Sequence, residues 1–331
     1  MALRLIQLQT ANKRRLVAAL EDDRNAVRLA GVESVYALAM SAIAQGVSLA
    51  EAVAQRRTKD TINLGDAANE LRLLAPIDHP DPAHLHLTGT GLTHLGSAES
   101  RDKMHALAAA GGAQTDSMRI FLQGLQGGKP AEGAVGCQPE WFYKGNGFSV
   151  AATEDDLRVP SFALDGGEEP EIAGIYVIDA AGTARRLGFC LANEFSDHVT
   201  ERENYLWLAH SKLRQAALGA ELLTGPLPAS IQGTSALLRG GETIWQKPFL
   251  SGEDNMSHTV ANLEHHHFKY DLFRKPGDVH VHFFGCGTLS FADGVKTQQG
   301  DVFEIRADAF VLPLRNRMSA AAPVAFSVQP L

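Results

Sequence analysis

Apolar residues recur with two different periods along this chain, and the change between them divides it. Arg4 to Gln9 reads as a short strand. Val27 to Gln55 is instead rich in Ala, Leu and Val at helical spacing, so the first part is predicted as a small mixed α/β unit. The stretch "APIDHPDPAHLHL" then interrupts the pattern with prolines and aspartates, which mark a connection. Beyond it, glycine punctuates short runs that read as strands: "HLHLTGTG", "FSVAA", "IAGIYVI", "RLGFCLANEF", "VHVHFFGCGTL" and "DVFEIRAD". Helices are expected there mainly at Ser97–Ala110 and Tyr205–Ala217. The expected fold class is α+β, with a small domain over 1–80 and a β-rich domain over 81–331.

Composition narrows the function. With 331 residues, 45% hydrophobic and 21% charged, the chain can bury a sizeable core. A net charge of -8 argues against nucleic acid or an anionic membrane as the main partner, since both select basic surfaces. A small molecule is the expected ligand. The start carries no apolar core of signal-peptide type, and no run approaches the roughly 20 apolar residues of a membrane span. Three cysteines without a CxxC pair suit a reducing compartment, so the expected location is the cytoplasm.

The candidate chemistry begins at "GGEEPEIAGIYVI", where carboxylates precede an apolar strand. Strand alternation puts Glu169 and Glu171 on one face and Glu168 on the other. Two like charges that close fit either a solvated strand entrance or a hard-cation site completed by a third oxygen ligand. Glu194, at the mouth of the strand ending at Asn193, is the best third carboxylate. Lys212 in "AHSKLR" is a surface lysine on one reading and a proton-transfer group on another.

Five segments in order carry a resemblance: Lys144 in "PEWFYKGNGFS", Glu169-Pro-Glu171, "LANE" ending at Glu194, "SKLRQAALGAELLTGP", and "KPGDVHVHFFGCGT". From about residue 85 onward the chain resembles the fumarylacetoacetate hydrolase superfamily. The resemblance implies a mixed β-roll catalytic domain, usually dimeric, with Mg²⁺ or Mn²⁺ held by Glu169, Glu171 and Glu194 and with Lys212 as the active-site lysine. It also makes Lys144, Ser149, Glu253 and Thr288 candidate substrate-binding residues, Lys144 and Thr288 for the substrate carboxylate. Glu194 departs from the superfamily's commoner aspartate.

A second departure bears on the reaction. Hydrolytic members carry a "GxNYxxHxxE" segment, and "GLTHLGSAES" is its counterpart here, with His94 for the Tyr, Ser97 for the His and Ser100 for the Glu. Serine has no basicity near neutral pH, so the water-activating pair is missing. A cation that chelates a 2-keto acid acidifies its C3 protons, and the resulting enolate can expel a C4 hydroxyl. With its "TGTGLTHLGSA" and "ENYLWLAHSKLR" segments the chain also resembles a branch of that superfamily associated with 2-keto-3-deoxy sugar acids, and this resemblance implies a hydro-lyase that converts a 2-keto-3-deoxypentonate to 2-oxoglutarate semialdehyde. Lys212 is the candidate for proton transfer, and His94 or Ser97 for the departing hydroxyl. Three alternatives stay open: a hydrolase or decarboxylase of acylpyruvate-like 2,4-diketo acids, a zinc enzyme built on "HHH" at 265–267 and "HVH" at 280–282, and a non-catalytic sugar-acid binding protein.

Overall fold

The computed structural model describes residues 3–65, 70–96 and 116–331. Among them, strands dominate and helices are few and short. The expected helix at Ser97–Ala110 lies outside the described residues, as do Ser97 and Ser100.

Most strands join one mixed sheet. Along it run Arg57–Asn63, Asn25–Leu29, Arg15–Leu20, Arg4–Thr10, Glu221–Leu223, Ala184–Asn193, Pro170–Ile178, Val279–Phe283, Leu85–Gly89 and Phe142–Asn146. A second sheet orders Glu242–Ser251, Ile231–Arg239, Val302–Ala307, Leu314–Ala320 and Asp156–Val159. Arg4–Thr10 pairs antiparallel with Glu221–Leu223, so hydrogen bonding runs across the sequence break near residue 80.

The strand Pro170–Ile178 shows why its sequence is apolar throughout. Ile172 joins Phe189, Leu191 and Phe195 against Leu237, Phe303 and Ile305 of the second sheet. Ala173, Ile175 and Val177 point the other way, into a cluster with Leu5, Leu38, Leu85 and Val281. Both faces are covered, the situation that favours continuous apolar runs over strict alternation. Each large apolar side chain buried this way contributes about 1.5–3 kcal/mol relative to exposure. The carboxylates at the strand's entrance therefore stand on a rigid, doubly packed element.

Two expected elements differ. Within Val27–Gln55, the part up to Leu29 is strand, because Ala19 and Ala18 pair with Val27 and Arg28. Helices follow at Val35–Gln45 and Leu49–Arg56, started by the side-chain caps Ser34 and Ser48 and separated at Gly46, whose φ of 66° ends the first. The expected helix over Tyr205–Ala217 is broken into a 3₁₀ turn at Tyr205–Trp207, a short helix Leu208–Lys212 and a strand Ala216–Leu218. That strand pairs with Ala192 and Asn193, so sheet pairing overrides local helical preference. No single described helix is long and apolar enough to cross a membrane.

Candidate metal centre and active site

Two antiparallel strand ends bring three carboxylates to one place. Pro170 pairs with Asn193 and Glu171 with Ala192, and just beyond, the Glu194 N–H donates to the Glu169 carbonyl at 3.1 Å. The Asn193 side-chain oxygen accepts from the N–H groups of Glu169 at 3.2 Å and Phe195 at 3.0 Å, clamping both strand ends. Alternation does the rest: Glu168 turns away, its carboxylate accepting from the N–H and hydroxyl of Ser290, both at 2.8 Å. Glu169, Glu171 and Glu194 are all buried.

Two buried lysines hold this charge, in different ways. Lys144 Nζ donates to Glu194 Oε1 at 2.8 Å and to the carbonyls of Phe195 at 2.8 Å and Lys212 at 2.9 Å. Its three donors are thereby used within the protein. Lys212 Nζ lies 2.6 Å from Glu169 Oε1, 2.9 Å from Glu194 Oε2 and 3.1 Å from Ser196 Oγ. Burial opposes its charge, but Glu169, Glu194 and Glu201 outweigh it and hold the ammonium well above the ordinary lysine value. Burial likewise opposes the Glu169 charge, and Lys212 with His198 hold its carboxyl well below the usual range.

Glu171 has no ammonium beside it. Its Oε2 accepts the Gly285 N–H at 2.7 Å, while burial and the charges of Glu194 and Glu169 push its carboxyl well above the usual range. Gly285 adopts φ of 93°, and a side chain there would strike the Thr93 hydroxyl, so the turn that aims this N–H requires glycine. A buried carboxylate lacking a counter-charge, beside a second carboxylate, fits a divalent cation. One ligand atom each from Glu169, Glu171 and Cys286 lie within 4.8 Å of one another. Glu194 stands outside that group because its oxygens are turned to the two lysines.

Three groups here were not among the candidate site residues, and one of them, Cys286, reads in the sequence as a small apolar packing residue. Glu140 accepts a hydrogen bond from the Tyr205 hydroxyl. Burial raises its carboxyl to about 7, against the pull of Tyr205 and of Lys212. A side chain on Gly91 would fall on the Glu140 carboxylate, so that glycine makes room for it. Glu140 lies just ahead of the strand Phe142–Asn146, in which Phe142 and Lys144 share one face, and Lys212 Nζ sits 5.2 Å from the centre of the Phe142 ring. His198 is the second group: its Nε2 lies 3.1 Å from Glu169 Oε1 and its Nδ1 3.4 Å from Asp165 Oδ2. Burial disfavours its charge, yet these two carboxylates raise it to about 9. Cys286 is the third, its Sγ 3.9 Å from Glu169 Oε2.

Other candidates fall around this cluster. His94 is buried, with Nε2 3.0 Å from Ser251 Oγ and Nδ1 3.1 Å from Thr93 Oγ1, and burial lowers it to about 4. Both ring nitrogens are engaged and the ring is neutral at pH 7. Glu253 accepts from the Val260 N–H at 2.8 Å, at the start of the helix Val260–Phe268. The Thr288 hydroxyl donates to the Pro248 carbonyl at 3.2 Å. Ser149 ends the turn Gly147–Ser149, which packs toward Pro82. The structure brings none of these last three into the carboxylate cluster.

The histidines of "HHH" and "HVH" form a chain of donors. The Trp141 indole donates to His267 Nδ1 at 3.2 Å, which puts the His267 proton on Nε2, 3.0 Å from His280 Nδ1. Neutral His280 then carries its own proton on Nε2. His280 also belongs to a group with His86 and Asp278 whose ligand atoms lie within 4.8 Å of one another.

No family model matches this chain, and no curated protein does. Several solved structures share the fold of this chain. One is the apo form of 2-keto-3-deoxy-D-arabinonate dehydratase, with a TM-score of 0.69 and 17% identity over 97% of this chain and 100% of that one. The same enzyme complexed with magnesium and 2,5-dioxopentanoate gives 0.70 and 18% over the same shares. A 5-carboxymethyl-2-hydroxymuconate delta-isomerase from Mycobacterium smegmatis gives 0.59 and 15%, again over 97% and 100%. At such identities these likenesses establish the fold.

Proposed function

We propose that this protein is a divalent-cation-dependent dehydratase of 2-keto-3-deoxy sugar acids, a pentonate giving 2-oxoglutarate semialdehyde. The observation that carries the reading is Glu140, a carboxyl raised to about 7 that faces the same charges as the cation cluster. A base poised near the working pH is what abstraction of a C3 proton needs. The dehydratase solved with magnesium and 2,5-dioxopentanoate shares the fold and supports the same choice.

The residues divide the work. Glu169 and Glu171 would hold the cation, which would supply Lewis acidity toward the 2-oxo group and so acidify C3. Glu140 takes the C3 proton, and the Tyr205 hydroxyl keeps its carboxylate oriented. The same carboxyl returns the proton to the C4 hydroxyl, which leaves as water, and the C3–C4 alkene tautomerises through the C5 hydroxyl to an aldehyde. Lys212, between Glu169 and Glu194, supplies positive charge as the enolate develops. Lys144 is an anchor for Glu194 and two carbonyls, with no donor left for substrate. With both its nitrogens engaged, His94 positions the Thr93 turn and takes no proton. The protein works as a homodimer in the cytoplasm on this reading.

The test is incubation of the Mg²⁺- or Mn²⁺-loaded protein with a panel of 2-keto-3-deoxy acids, with products identified by mass. The expected product weighs one water less than its substrate, carries an aldehyde, and acquires solvent deuterium. Two acids whose summed mass is one water heavier than a 2,4-diketo substrate would make the protein a hydrolase.

A further inference from the structure

The cation cluster contains one group that the oxygen-only picture leaves idle. Cys286 lies in the turn after Val279–Phe283, directly following the glycine whose N–H holds Glu171. Its Sγ faces Glu169 Oε2, the oxygen of Glu169 that neither Lys212 nor His198 occupies. Glu171 similarly has one oxygen on the Gly285 N–H and the other without a described partner. These three side chains, and not Glu194, supply the ligand atoms that lie within 4.8 Å of one another. Glu194 gives one oxygen to Lys144 and the other to Lys212, and turning it to a cation would strip a charge partner from two buried ammoniums.

We propose that Cys286 is a protein ligand of the divalent cation, in a set with Glu169 and Glu171, and that the centre therefore selects borderline cations such as Zn²⁺ or Co²⁺ over Mg²⁺. A thiolate is a soft donor that contributes little to Mg²⁺ and much to later first-row ions. Binding replaces the thiol proton: the S–H bond breaks, an S–metal bond forms, and one proton leaves to solvent. No electron changes hands. Glu194 then keeps its place as the shared counter-charge of the lysines. This ligand set rests on the reading of the cluster as a cation site and is independent of the reaction assigned to it.

The test uses the full chain loaded with Co²⁺, read optically, and the variant Cys286→Ser. The wild-type protein should show a thiolate-to-cobalt charge-transfer band that Cys286→Ser lacks. Its preference for Co²⁺ or Zn²⁺ over Mg²⁺ should fall roughly 10- to 100-fold in the variant, the scale on which a metal centre responds to one side chain. Mg²⁺ affinity itself should change little. A second measurement needs no variant: bound Zn²⁺ should protect Cys286 from alkylation, resolved by peptide mass from Cys137 and Cys190. Co²⁺ bound without a thiolate band, or alkylation of Cys286 at the same rate with and without Zn²⁺, overturns the proposal in favour of oxygen-only ligation. A protein that binds no divalent ion, and whose Glu169→Gln variant behaves identically, would remove the cation site itself and is distinguishable from both.

Discussion

Replacing Glu140 with Gln separates catalysis from stability in opposite directions. Burial moves the Glu140 carboxyl from an ordinary 4.5 to about 7, so the folded protein holds this proton more tightly than the unfolded chain does. For a carboxyl raised in this way the cost is absent below about 4.5, grows as pH climbs, and is complete above about 7. The gap corresponds to about 3 kcal/mol at most, and solvent at the partly exposed carboxylate reduces it. Glutamine keeps the shape and the acceptor for Tyr205 but cannot ionise. Glu140→Gln should therefore melt close to wild type at pH 4.5 and above it at pH 8.

Its turnover should move the other way. Loss of a general base costs roughly 10²–10⁴-fold, and the wild-type rate should rise through pH 7 to a plateau, because only the ionised carboxylate accepts a proton. The groups facing Glu140 are Tyr205, Lys212, Glu201 and Glu169, so the same inflection should shift when Lys212 is neutralised. The assays are thermal melting at several pH values and a pH–rate profile of kcat. Either a Glu140→Gln protein with wild-type turnover, or a melting difference that does not widen between pH 4.5 and 8, refutes the reasoning.

Three further outcomes follow from the same geometry. Lys144→Met should destabilise the fold by about 3–5 kcal/mol in urea unfolding, the cost of breaking a buried ion pair from one side, and a midpoint near wild type would show that Lys144 is no anchor. Lys212→Met should lower turnover by roughly 10²-fold or more, while divalent ions should raise its melting temperature more than they raise that of wild type, since Glu169 and Glu194 lose their ammonium; wild-type turnover would remove Lys212 from the mechanism. Exhaustive chelation should abolish activity and added divalent ion restore it, with Glu171→Gln weakened in ion binding; activity that survives chelation counts against the cation.

The sequence made some of this site legible and concealed the rest for identifiable reasons. Glu169 and Glu171 are two residues apart before an apolar run, and the period of a strand alone puts them together. The end of the neighbouring strand at Asn193 was likewise readable, and it sets Glu194 beside them. What Glu194 does there depends on Lys144 and Lys212, which reach it from a different strand and a short helix. Glu140 lies just ahead of the strand that carries Lys144, and its chemistry comes from burial and from a hydroxyl 65 residues away. The helix Val260–Phe268, begun by the Thr259 cap, ends in three histidines, which in a sequence signal metal. In the fold His267 takes the Trp141 indole N–H and pairs with His280, while His266 Nε2 lies 3.0 Å from the Gly136 carbonyl.

The two lysines illustrate how far composition and position fall short of role. Both are buried and both approach Glu194, and what marked them in the sequence was the resemblance, since the position of Lys212 alone fits a surface lysine equally well. Lys144 spends two donors on backbone carbonyls, those of Phe195 just past a strand end and of Lys212 at the end of a short helix, so it cannot respond to a ligand without disturbing that corner. Lys212 contacts side chains only: the carboxylates of Glu169, Glu194 and, at 3.5 Å, Glu201, and the Ser196 hydroxyl. A cation drawn to Glu169 weakens one of those contacts directly, and leaves the ammonium with charge to offer a substrate. The protein thus keeps one lysine to hold the carboxylates in place and a second whose partnerships change as the site fills, and it is the second that can act in turnover.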